Sequence, residues 1–437
     1  MSGPLRLLTL SAPTPDALEL ASDALADQLL SLDEGAVVPA STLPEATAPP
    51  GAIRRVLVAT SAADAARWLR RRDPRRVFTA GPGVCASRVF LFSGVGDHYP
   101  GLGAGLYRCV PAFHRALDDC LRLLATDHDL DLRPVLFPPE ADTAAAGARP
   151  DLAALLGQRE KTQGIDRTVV AQPLLFAMQY ALAKALSDFG AEPTALAGYS
   201  VGEYVAACVA GVFSLQDALH LVASRARLVE ALPQGAMLAV AAGADEVAKH
   251  LVPRVSIAAL NSPEQTVLSG PVEAIQESAQ ILAAHGVACR RLATTHAFHS
   301  TMTLPVAEPL EALLTTMAIS APRLPLLSSV TGTWLRDDEA TDPGYWARQL
   351  SRTIRFSGQL TEVWRLPDPM LIELGPGQAL SRFALAHPGR PEDAAARVVQ
   401  TMPGRFESRT DRELLLGAAS RLWAAGVEID WTAVRWE

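Results

Sequence analysis

The apolar positions of this chain alternate between short strand-like runs and stretches with helical spacing. Apolar runs at residues 89–92 and 195–197 each lead into a glycine-containing turn and then a helical pattern, and a third run at 370–374 ends in a glycine turn. Strand, turn and helix repeated in this order are typical of an α/β fold with a parallel sheet. We therefore predict the α/β class for the main body of the protein.

A different order of elements interrupts this pattern between residues 236 and 293. The predicted order is strand 237–242, helix 245–251, strand 255–260, strand 266–269, helix 272–285 and strand 288–292. This βαββαβ order predicts a ferredoxin-like subdomain inserted into the larger fold. Within residues 1–86 the pattern predicts a strand at 5–10, a helix at 15–30, a Pro/Ala-rich loop at 38–51, a strand at 56–59 and a helix at 62–71. This order predicts a further small α/β unit.

A Gly-Tyr-Ser-Val-Gly pentapeptide at 198–202 follows one of the strands and precedes an alanine-rich helix that ends at Gly211. This is the pattern of a nucleophile elbow, in which a sharp turn presents the serine hydroxyl at a helix N-terminus. Helix amides at that end can stabilise an oxyanion. Ser200 is therefore our candidate nucleophile, and the elbow favours an α/β-hydrolase-like large domain.

A serine nucleophile needs a base, and histidine is the usual one because its pKa lies near neutrality. His296 and His299 lie together where a predicted strand ends. Either could be a core or loop histidine, but two in one loop suggest a site. An H-x-x-H metal pair would need a third ligand cluster. We therefore predict a catalytic base and no metal.

Arg225 lies within the apolar stripe of the helix predicted to begin after Ser214. A guanidinium in that position must find an anion or bear a desolvation cost of several kcal/mol. A structural carboxylate such as Asp217 or Glu203 could be its partner. The alternative partner is the free carboxylate of a substrate, held by the bidentate fork.

The glycine loop around Val95 is a candidate for the second half of an oxyanion hole. A residue between two glycines, Gly94 and Gly96, can point its amide inward beside the amide of Val201. The loop lacks the Lys-Ser/Thr ending of a nucleotide-binding Walker loop. We therefore expect oxyanion binding here rather than phosphate binding.

The bulk composition is that of an ordinary folded, mildly acidic protein. The chain has 437 residues, 49% of them hydrophobic, and a formal charge of -8, which argues against disorder and against a nucleic-acid surface. Five cysteines without C-x-x-C or zinc-ligand spacing predict reduced thiols. The sequence has neither a signal-peptide layout nor a long uncharged apolar run. We expect a cytoplasmic protein with no membrane or nucleic-acid partner.

Seven motifs in order carry a resemblance to a known family. They are Phe-Ser-Gly-Val-Gly at 92–96, Gln-Pro at 172–173, the elbow with Glu203, Arg225, Asn-Ser-Pro at 261–263, His-Ala-Phe-His at 296–299 and Leu-Gly-Pro-Gly at 374–377. Together they resemble the malonyl-CoA:acyl carrier protein acyltransferases, specifically the acyltransferase domains of type I polyketide synthases. The resemblance covers about residues 87–400.

The resemblance implies a role for each matching residue. Ser200 would be the acylated nucleophile, His299 the general base, and Arg225 the clamp on the malonyl carboxylate. The backbone amides of Val95 and Val201 would form the oxyanion hole. The remaining substrate-binding positions would be Gln172, Asn261, Tyr199, His296 and Phe298. His-Ala-Phe-His is the family form associated with malonyl units. Phe298 would fill the volume that an α-methyl branch needs, and excluding one methyl group contributes about 1–3 kcal/mol to the discrimination between the two acyl groups.

The resemblance also divides the chain and implies its partners. Residues 1–86 would be a ketosynthase-to-acyltransferase linker, 87–235 and 300–397 the large subdomain, 236–299 the small subdomain, and 398–437 a tail that wraps back. A fragment of a larger synthase is implied, with acyl carrier protein and ketosynthase domains as partners. Malonyl-CoA would be the substrate, phosphopantetheine would be on the carrier, and no cofactor would be permanently bound.

Two departures from the family pattern matter. Tyr199 replaces the usual histidine of the elbow, and residues 95–99 read Val-Gly-Asp-His-Tyr instead of Gln-Gly-Ser-Gln-Trp. An oxyanion amide does not depend on its side chain, so Val95 leaves the mechanism intact. At both positions the chain resembles the iterative synthases that make enediyne polyenes.

The elbow alone also fits two other functions. A serine hydrolase or thioesterase would use the same nucleophile, but would need an acid between serine and histidine in chain order to orient the base. A catalytically idle scaffold would need neither the base nor the buried arginine.

Overall fold

The fold is that of a computed structural model, which describes residues 6–31, 52–73, 76–81, 85–138 and 164–434. Its strands are β1 (Arg6–Ala12), β2 (Ile53–Ala59), β3 (Val77–Ala80), β4 (Ser87–Phe92), β5 (Ala195–Gly198), β6 (Ala236–Val240), β7 (Ser256–Ser262), β8 (Gln265–Gly270), β9 (Cys289–Arg291), β10 (Leu326–Leu327), β11 (Pro369–Pro376) and β12 (Val398–Met402). They form three separate sheets.

The helices lie between and around these strands. They are α1 (Pro15–Leu30), α2 (Ala62–Arg71), α3 (Ala104–Cys109), α4 (Pro111–His128), α5 (Arg133–Leu136), α6 (Thr168–Asp188), α7 (Gly202–Ala210), α8 (Leu215–Glu230), α9 (Ala244–Ala248), α10 (Val272–Ala284), α11 (Ala307–Leu314), α12 (Asp337–Ala340), α13 (Pro343–Gln349), α14 (Phe356–Trp364), α15 (Ala379–Ala386), α16 (Ala394–Arg397), α17 (Asp411–Ala424) and α18 (Trp431–Val434), with a 3-10 helix at Thr301–Val306.

The central sheet has the strand order β10-β5-β4-β11-β12, and every neighbouring pair is parallel. Strands β5 and β11 are buried along their whole length, as expected when helices cover both faces of a parallel sheet. The predicted α/β class is confirmed. Strand β12 pairs with β11 in this sheet, so the five residues of β12, which the sequence reading assigned to the tail, belong structurally to the large subdomain.

Helix α6 is the core helix of the large subdomain. It begins at Thr168 and runs through Pro173. It is the one described helix that is long and apolar enough to cross a membrane. However, 78% of its most apolar window is buried inside the protein, and it packs against α4 and α8.

The second sheet, β7-β8-β6-β9, is antiparallel throughout. Helices α9 and α10 complete the predicted βαββαβ order, and this strand arrangement is ferredoxin-like. Apolar residues of α10 and β6 form its own small core. At its edge, β7 contacts the large subdomain through Ala259 and Ile354.

The third sheet, β1-β2-β3, is antiparallel and includes a strand, β3, that the sequence analysis missed. Side chains alternate along its strands. Leu8 and Leu57 pack in a core with helices α1 and α2, while Leu7 and Val56 belong to the core that also holds residues of α17. The predicted loop at 38–51 lies outside the described residues.

Candidate active site

Ser200 lies in a sharp turn between β5, which ends at Gly198, and α7, which begins at Gly202. Its φ is +57°, a left-handed conformation that is costly for serine and is typical of functional sites. A Cβ atom at Gly198 would lie 2.3 Å from the Glu203 nitrogen, and one at Gly202 would lie 2.2 Å from the Phe92 carbonyl oxygen. The two glycines are therefore sterically required by the elbow.

His299 is in hydrogen-bond contact with the serine. Its Nε2 lies 2.7 Å from Ser200 Oγ, and its Nδ1 lies 2.9 Å from the main-chain carbonyl oxygen of Arg352. A proton on Nδ1 can only be donated to that carbonyl, so Nε2 is left to accept the serine proton. The group that orients the base is a peptide carbonyl and not the acid that the hydrolase alternative requires.

The imidazole is almost completely buried, with 2% of its residue surface exposed. Burial, followed by the positive charge of Arg225, lowers the pKa of His299 to about 3. The ring is therefore neutral at physiological pH. A neutral ring whose Nε2 is unprotonated is the form that a general base needs.

The pH profile of acylation should reflect this lowered pKa. We expect kcat/KM for acyl loading, measured by rapid quench from about pH 8 to about pH 5, to show no inflection near the ordinary histidine value of 6.5. The unfolded chain takes up this proton near 6.5 and the folded chain only near 3, so acid destabilises the fold across that window. Thermal melts at each pH separate unfolding from titration, and an inflection near 6.5 in folded enzyme would contradict the expectation.

Arg225 lies on the buried face of α8, with 1% of its surface exposed. One guanidinium nitrogen, Nη1, donates to Gln172 Oε1, and the guanidinium carbon lies 5.4 Å from the centre of the Tyr204 ring. Its Nε and Nη2 have no hydrogen-bond partner among the described residues, and burial lowers its pKa. The site thus holds a desolvated cation with two unused donors.

Neither carboxylate suggested by the sequence pairs with Arg225. Asp217 accepts a hydrogen bond from the Ser214 hydroxyl, 2.7 Å away, at the N-terminus of α8. Glu203 accepts bonds from the Ser329 amide at 2.9 Å, the Tyr345 hydroxyl at 2.6 Å and the Gln349 amide at 2.9 Å. The structural-partner interpretation is therefore wrong, because both acids are satisfied elsewhere.

Glu203 holds the elbow in place. It is fully buried, and burial raises the pKa of its carboxyl. Gln349 donates to both Glu203 and the carbonyl oxygen of Ser200, each at 2.9 Å. The elbow is thereby linked to α13, which ends just before Arg352. Both supports of the dyad, at the serine and at the histidine, come from one short stretch of chain.

The glycine loop approaches the nucleophile closely. A Cβ atom at Gly94 would lie 3.5 Å from Ser200 Cβ and 2.9 Å from a ring carbon of Tyr199. Among the described residues, the amides of Val95 and Val201 donate to no acceptor, backbone or side chain. Both amides therefore have no acceptor that would compete with an oxyanion.

The Tyr199 ring lies against the edge of Phe356, with ring centres 5.6 Å apart. Its hydroxyl donates to Asn261 Oδ1 at 3.0 Å, and burial raises its pKa. Because Asn261 lies on β7, this bond connects the elbow to the ferredoxin-like subdomain. Tyr199 and Asn261, both singled out from the sequence, act on each other.

His296 and Phe298 flank the base at the border of the small subdomain. The rings of His296 and Phe298 meet edge to face with centres 6.2 Å apart, and His296 Nδ1 lies 3.0 Å from the Thr295 hydroxyl. His296 is buried and Phe298 is half-buried. His296 and His299 thus bond to different partners.

Sequence reasoning missed Gln349, the Arg352 carbonyl and Thr168, which accepts a hydrogen bond from Gln172. A main-chain carbonyl leaves no trace in residue identity, so Arg352 could not have been found from the sequence. Gln349 lies far from every glycine motif. Glu203, in contrast, belongs to the elbow motif itself.

A family model described as an acyl transferase domain matches residues 89–402, a range that includes every residue of the site. The chain belongs to the acyl transferase domain family.

Curated relatives of this acyl transferase domain are polyketide synthases. The chain is 39% identical over 347 residues to one subunit of the phenolphthiocerol/phthiocerol polyketide synthase of Mycobacterium tuberculosis, and the match covers 79% of this chain and 22% of that protein. The chain therefore spans about a fifth of the length of that relative.

Solved acyl transferase domains have the same fold. The domain of SpnD, in complex with 2-(pent-4-yn-1-yl)malonyl, is 33% identical with a TM-score of 0.83, covering 100% of this chain and 98% of that one. The domain of ZmaA is 30% identical with a TM-score of 0.82, covering 99% and 97%. The combination of a parallel sheet and a ferredoxin-like subdomain is thus shared with polyketide synthase acyltransferases.

Proposed function

We propose that this acyl transferase domain loads malonyl from malonyl-CoA onto Ser200 and passes it to the phosphopantetheine thiol of an acyl carrier protein. The observation that carries the proposal is the buried Arg225 with two unused donors near the Ser200–His299 pair. A dicarboxylic half-thioester offers one carboxylate to the guanidinium and one thioester carbonyl to the serine. An acyl group without the free carboxylate would leave the cation unpaired.

In the first half-reaction His299 Nε2 takes the proton of Ser200 as Oγ bonds to the thioester carbonyl carbon. The amides of Val95 and Val201 hold the oxyanion of the tetrahedral intermediate. As the intermediate collapses, the carbon–sulfur bond breaks and His299 returns the proton to the leaving thiolate. The products are coenzyme A and a malonyl ester of Ser200.

The second half-reaction runs the same steps with the carrier thiol as nucleophile. His299 takes the thiol proton, the thiolate attacks the ester carbonyl, and the Ser200 alkoxide leaves with that proton. The imidazole is neutral before and after each half-reaction, which agrees with its low pKa. The carrier and neighbouring ketosynthase domains would belong to the same synthase.

A competition experiment tests the proposal. The protein is incubated with equal malonyl-CoA and methylmalonyl-CoA, and its intact mass is measured over time. A mass increase of one malonyl group in excess over methylmalonyl supports the proposal. Equal or dominant methylmalonyl labelling would contradict the malonyl preference, and hydrolysis without transfer to a holo-acyl carrier protein would favour the thioesterase alternative.

Phe298 supplies a second, independent test of the acyl preference. Replacing Phe298 with serine should raise methylmalonyl loading relative to malonyl loading by about 10-fold or more, because one methyl group in a pocket is worth about 1–3 kcal/mol. The ratio of the two kcat/KM values measures the effect. Phe406→Ser, at an aromatic ring that is 57% exposed, is the control and should leave the ratio unchanged. An unchanged ratio in Phe298→Ser would remove this residue from the selectivity argument.

Membership in the iterative enediyne group is a separate and finer proposal. It is supported by Tyr199 and by residues 95–99, where the chain departs from the common family pattern. The complete synthase should then condense several malonyl units on one carrier, which product mass would reveal. A single condensation per carrier would contradict it.

A further inference from the structure

A cleft of about 390 Å³ lies beside the segment that orients the catalytic histidine. Three arginines and two acids line it, together with Tyr345: Arg348, Arg352, Arg355, Glu339 and Asp342. Tyr345 also donates to Glu203, so the cleft and the nucleophile elbow share a wall. No step of the acyl transfer derived above uses the charges of this cleft.

The acids in the cleft are already paired. Asp342 bonds to Arg348 at 3.2 Å, and Glu339 lies 3.4 Å from Arg336. The guanidinium groups of Arg352 and Arg355 form neither a hydrogen bond nor an ion pair within the described part of the chain. In a protein with a formal charge of -8, this cleft presents two free positive forks.

The position of these arginines ties them to the reaction centre. The Arg352 carbonyl is bonded to His299, and the next residues attach to β7: the Thr353 hydroxyl donates to the Ile257 carbonyl at 2.7 Å and the Ile354 amide to the Ala258 carbonyl at 2.9 Å. Strand β7 continues to Asn261, which holds Tyr199. The segment therefore lies at the junction of the two subdomains, where Ser200 and His299 also meet.

We propose that Arg352 and Arg355 bind the phosphate of the 4′-phosphopantetheine arm that delivers or receives the acyl group. Arginine forks match phosphate oxygens bidentately. The malonyl thioesters of coenzyme A and of the carrier protein both have this phosphate at the end of the same pantetheine arm. The inference rests on that proposed function. It means that part of the free energy of donor binding comes from the phosphate at Arg352 and Arg355, and not only from the malonyl carboxylate at Arg225.

The test compares donors that differ only in the phosphate. Malonyl-pantetheine has no phosphate and malonyl-4′-phosphopantetheine has one. Wild type should have the lower KM for the phosphorylated donor. Arg352→Gln and Arg355→Gln, alone and together, should raise the KM of malonyl-4′-phosphopantetheine and malonyl-CoA, about 10-fold for the double variant, and bring the two truncated donors to equal KM. Arg365→Gln, at an exposed arginine paired with Glu362, is the control for loss of charge.

The two sources of the phosphate are distinguished in the second half-reaction. Malonylated enzyme is mixed with a holo-acyl carrier protein or with free coenzyme A, and removal of malonyl from the serine is followed by intact mass. Slower removal by both acceptors indicates one shared phosphate site, and slower removal by only one identifies the species that uses the arginines. Either result supports phosphate recognition at this cleft.

Other outcomes separate the two proposals. If the variants lose activity equally on pantetheine and phosphopantetheine donors, or lose it on neither, the arginines do not recognise phosphate and only this inference is overturned. If wild type forms no adduct with any malonyl thioester, the proposed function itself fails. Arg352→Gln keeps the main-chain carbonyl that orients His299, so the effect of this variant on the phosphate-free donor reports any disturbance of the base.

Discussion

Replacing Ser200 with alanine is expected to abolish the mass increase of one malonyl group after incubation with malonyl-CoA. The hydroxyl is the atom that becomes esterified, so no covalent intermediate can form without it. Loss of the nucleophile from a serine–histidine pair lowers turnover by about 10⁴- to 10⁶-fold. Intact mass measures the adduct, and transfer to a holo-acyl carrier protein measures turnover.

Two comparisons make the Ser200 result specific. Ser200→Ala removes one side-chain hydrogen bond, to His299, so the variant should still fold, and a thermal melt checks that it does. Ser214→Ala, which removes a surface cap from α8, should retain the malonyl adduct at some cost in stability. An undiminished adduct in Ser200→Ala, mapped to another residue, would show that the elbow is not the acylation site.

Arg225→Ala is expected to weaken malonyl loading far more than acetyl loading. Breaking a buried charge pair costs about 3–5 kcal/mol, which is a factor of roughly 10² to 10³ or more. An acetyl group has no carboxylate to lose, so the ratio of the two kcat/KM values should fall by about that factor. Loading rates for both donors, measured side by side, give the ratio.

The matched control for Arg225 is Arg227→Ala, which removes another arginine from α8. Arg227 donates to the His128 carbonyl and is not part of the site, so its loss should change both donors alike. Arg225→Ala should also raise the pKa of His299, because the arginine charge is one cause of its depression. Equal loss of malonyl and acetyl loading in Arg225→Ala would contradict the clamp.

Much of the fold was predictable because the spacing of apolar residues along the chain shows which face of a helix or strand is buried. The boundaries of α1 and α2 match the sequence reading, and the βαββαβ order was found because strands and helices there alternate with clear turns. Strand β3 was missed because its four residues, Val-Phe-Thr-Ala, are too few to show a repeating pattern. Residues 398–402 were assigned to the tail because the sequence does not reveal that they form a strand of the central sheet.

The sequence was most informative where chemistry requires a side chain. Ser200 and Arg225 follow from residue type and local pattern, whereas the choice of His299 over His296 came from the family resemblance. The pattern could not show that Asp217 and Glu203 bond elsewhere. The Arg352 carbonyl and Gln349 act through geometry that only tertiary packing creates. Arg352 and Arg355 could not be singled out from the sequence either. The sequence does not show that the acids near them in the cleft, Glu339 and Asp342, pair with other arginines.

Helix α17 has a practical consequence for grafting this acyl transferase domain into another protein. It packs against β2, β3 and β12, and the Arg54 guanidinium donates to its Trp423 carbonyl at 2.9 Å, so it bridges the β1-β2-β3 sheet and the central sheet. A graft cut at the edges of the catalytic region alone would strip this helix and leave apolar surfaces open to water and to aggregation. Chimeric synthases should therefore exchange both flanks together with the catalytic part.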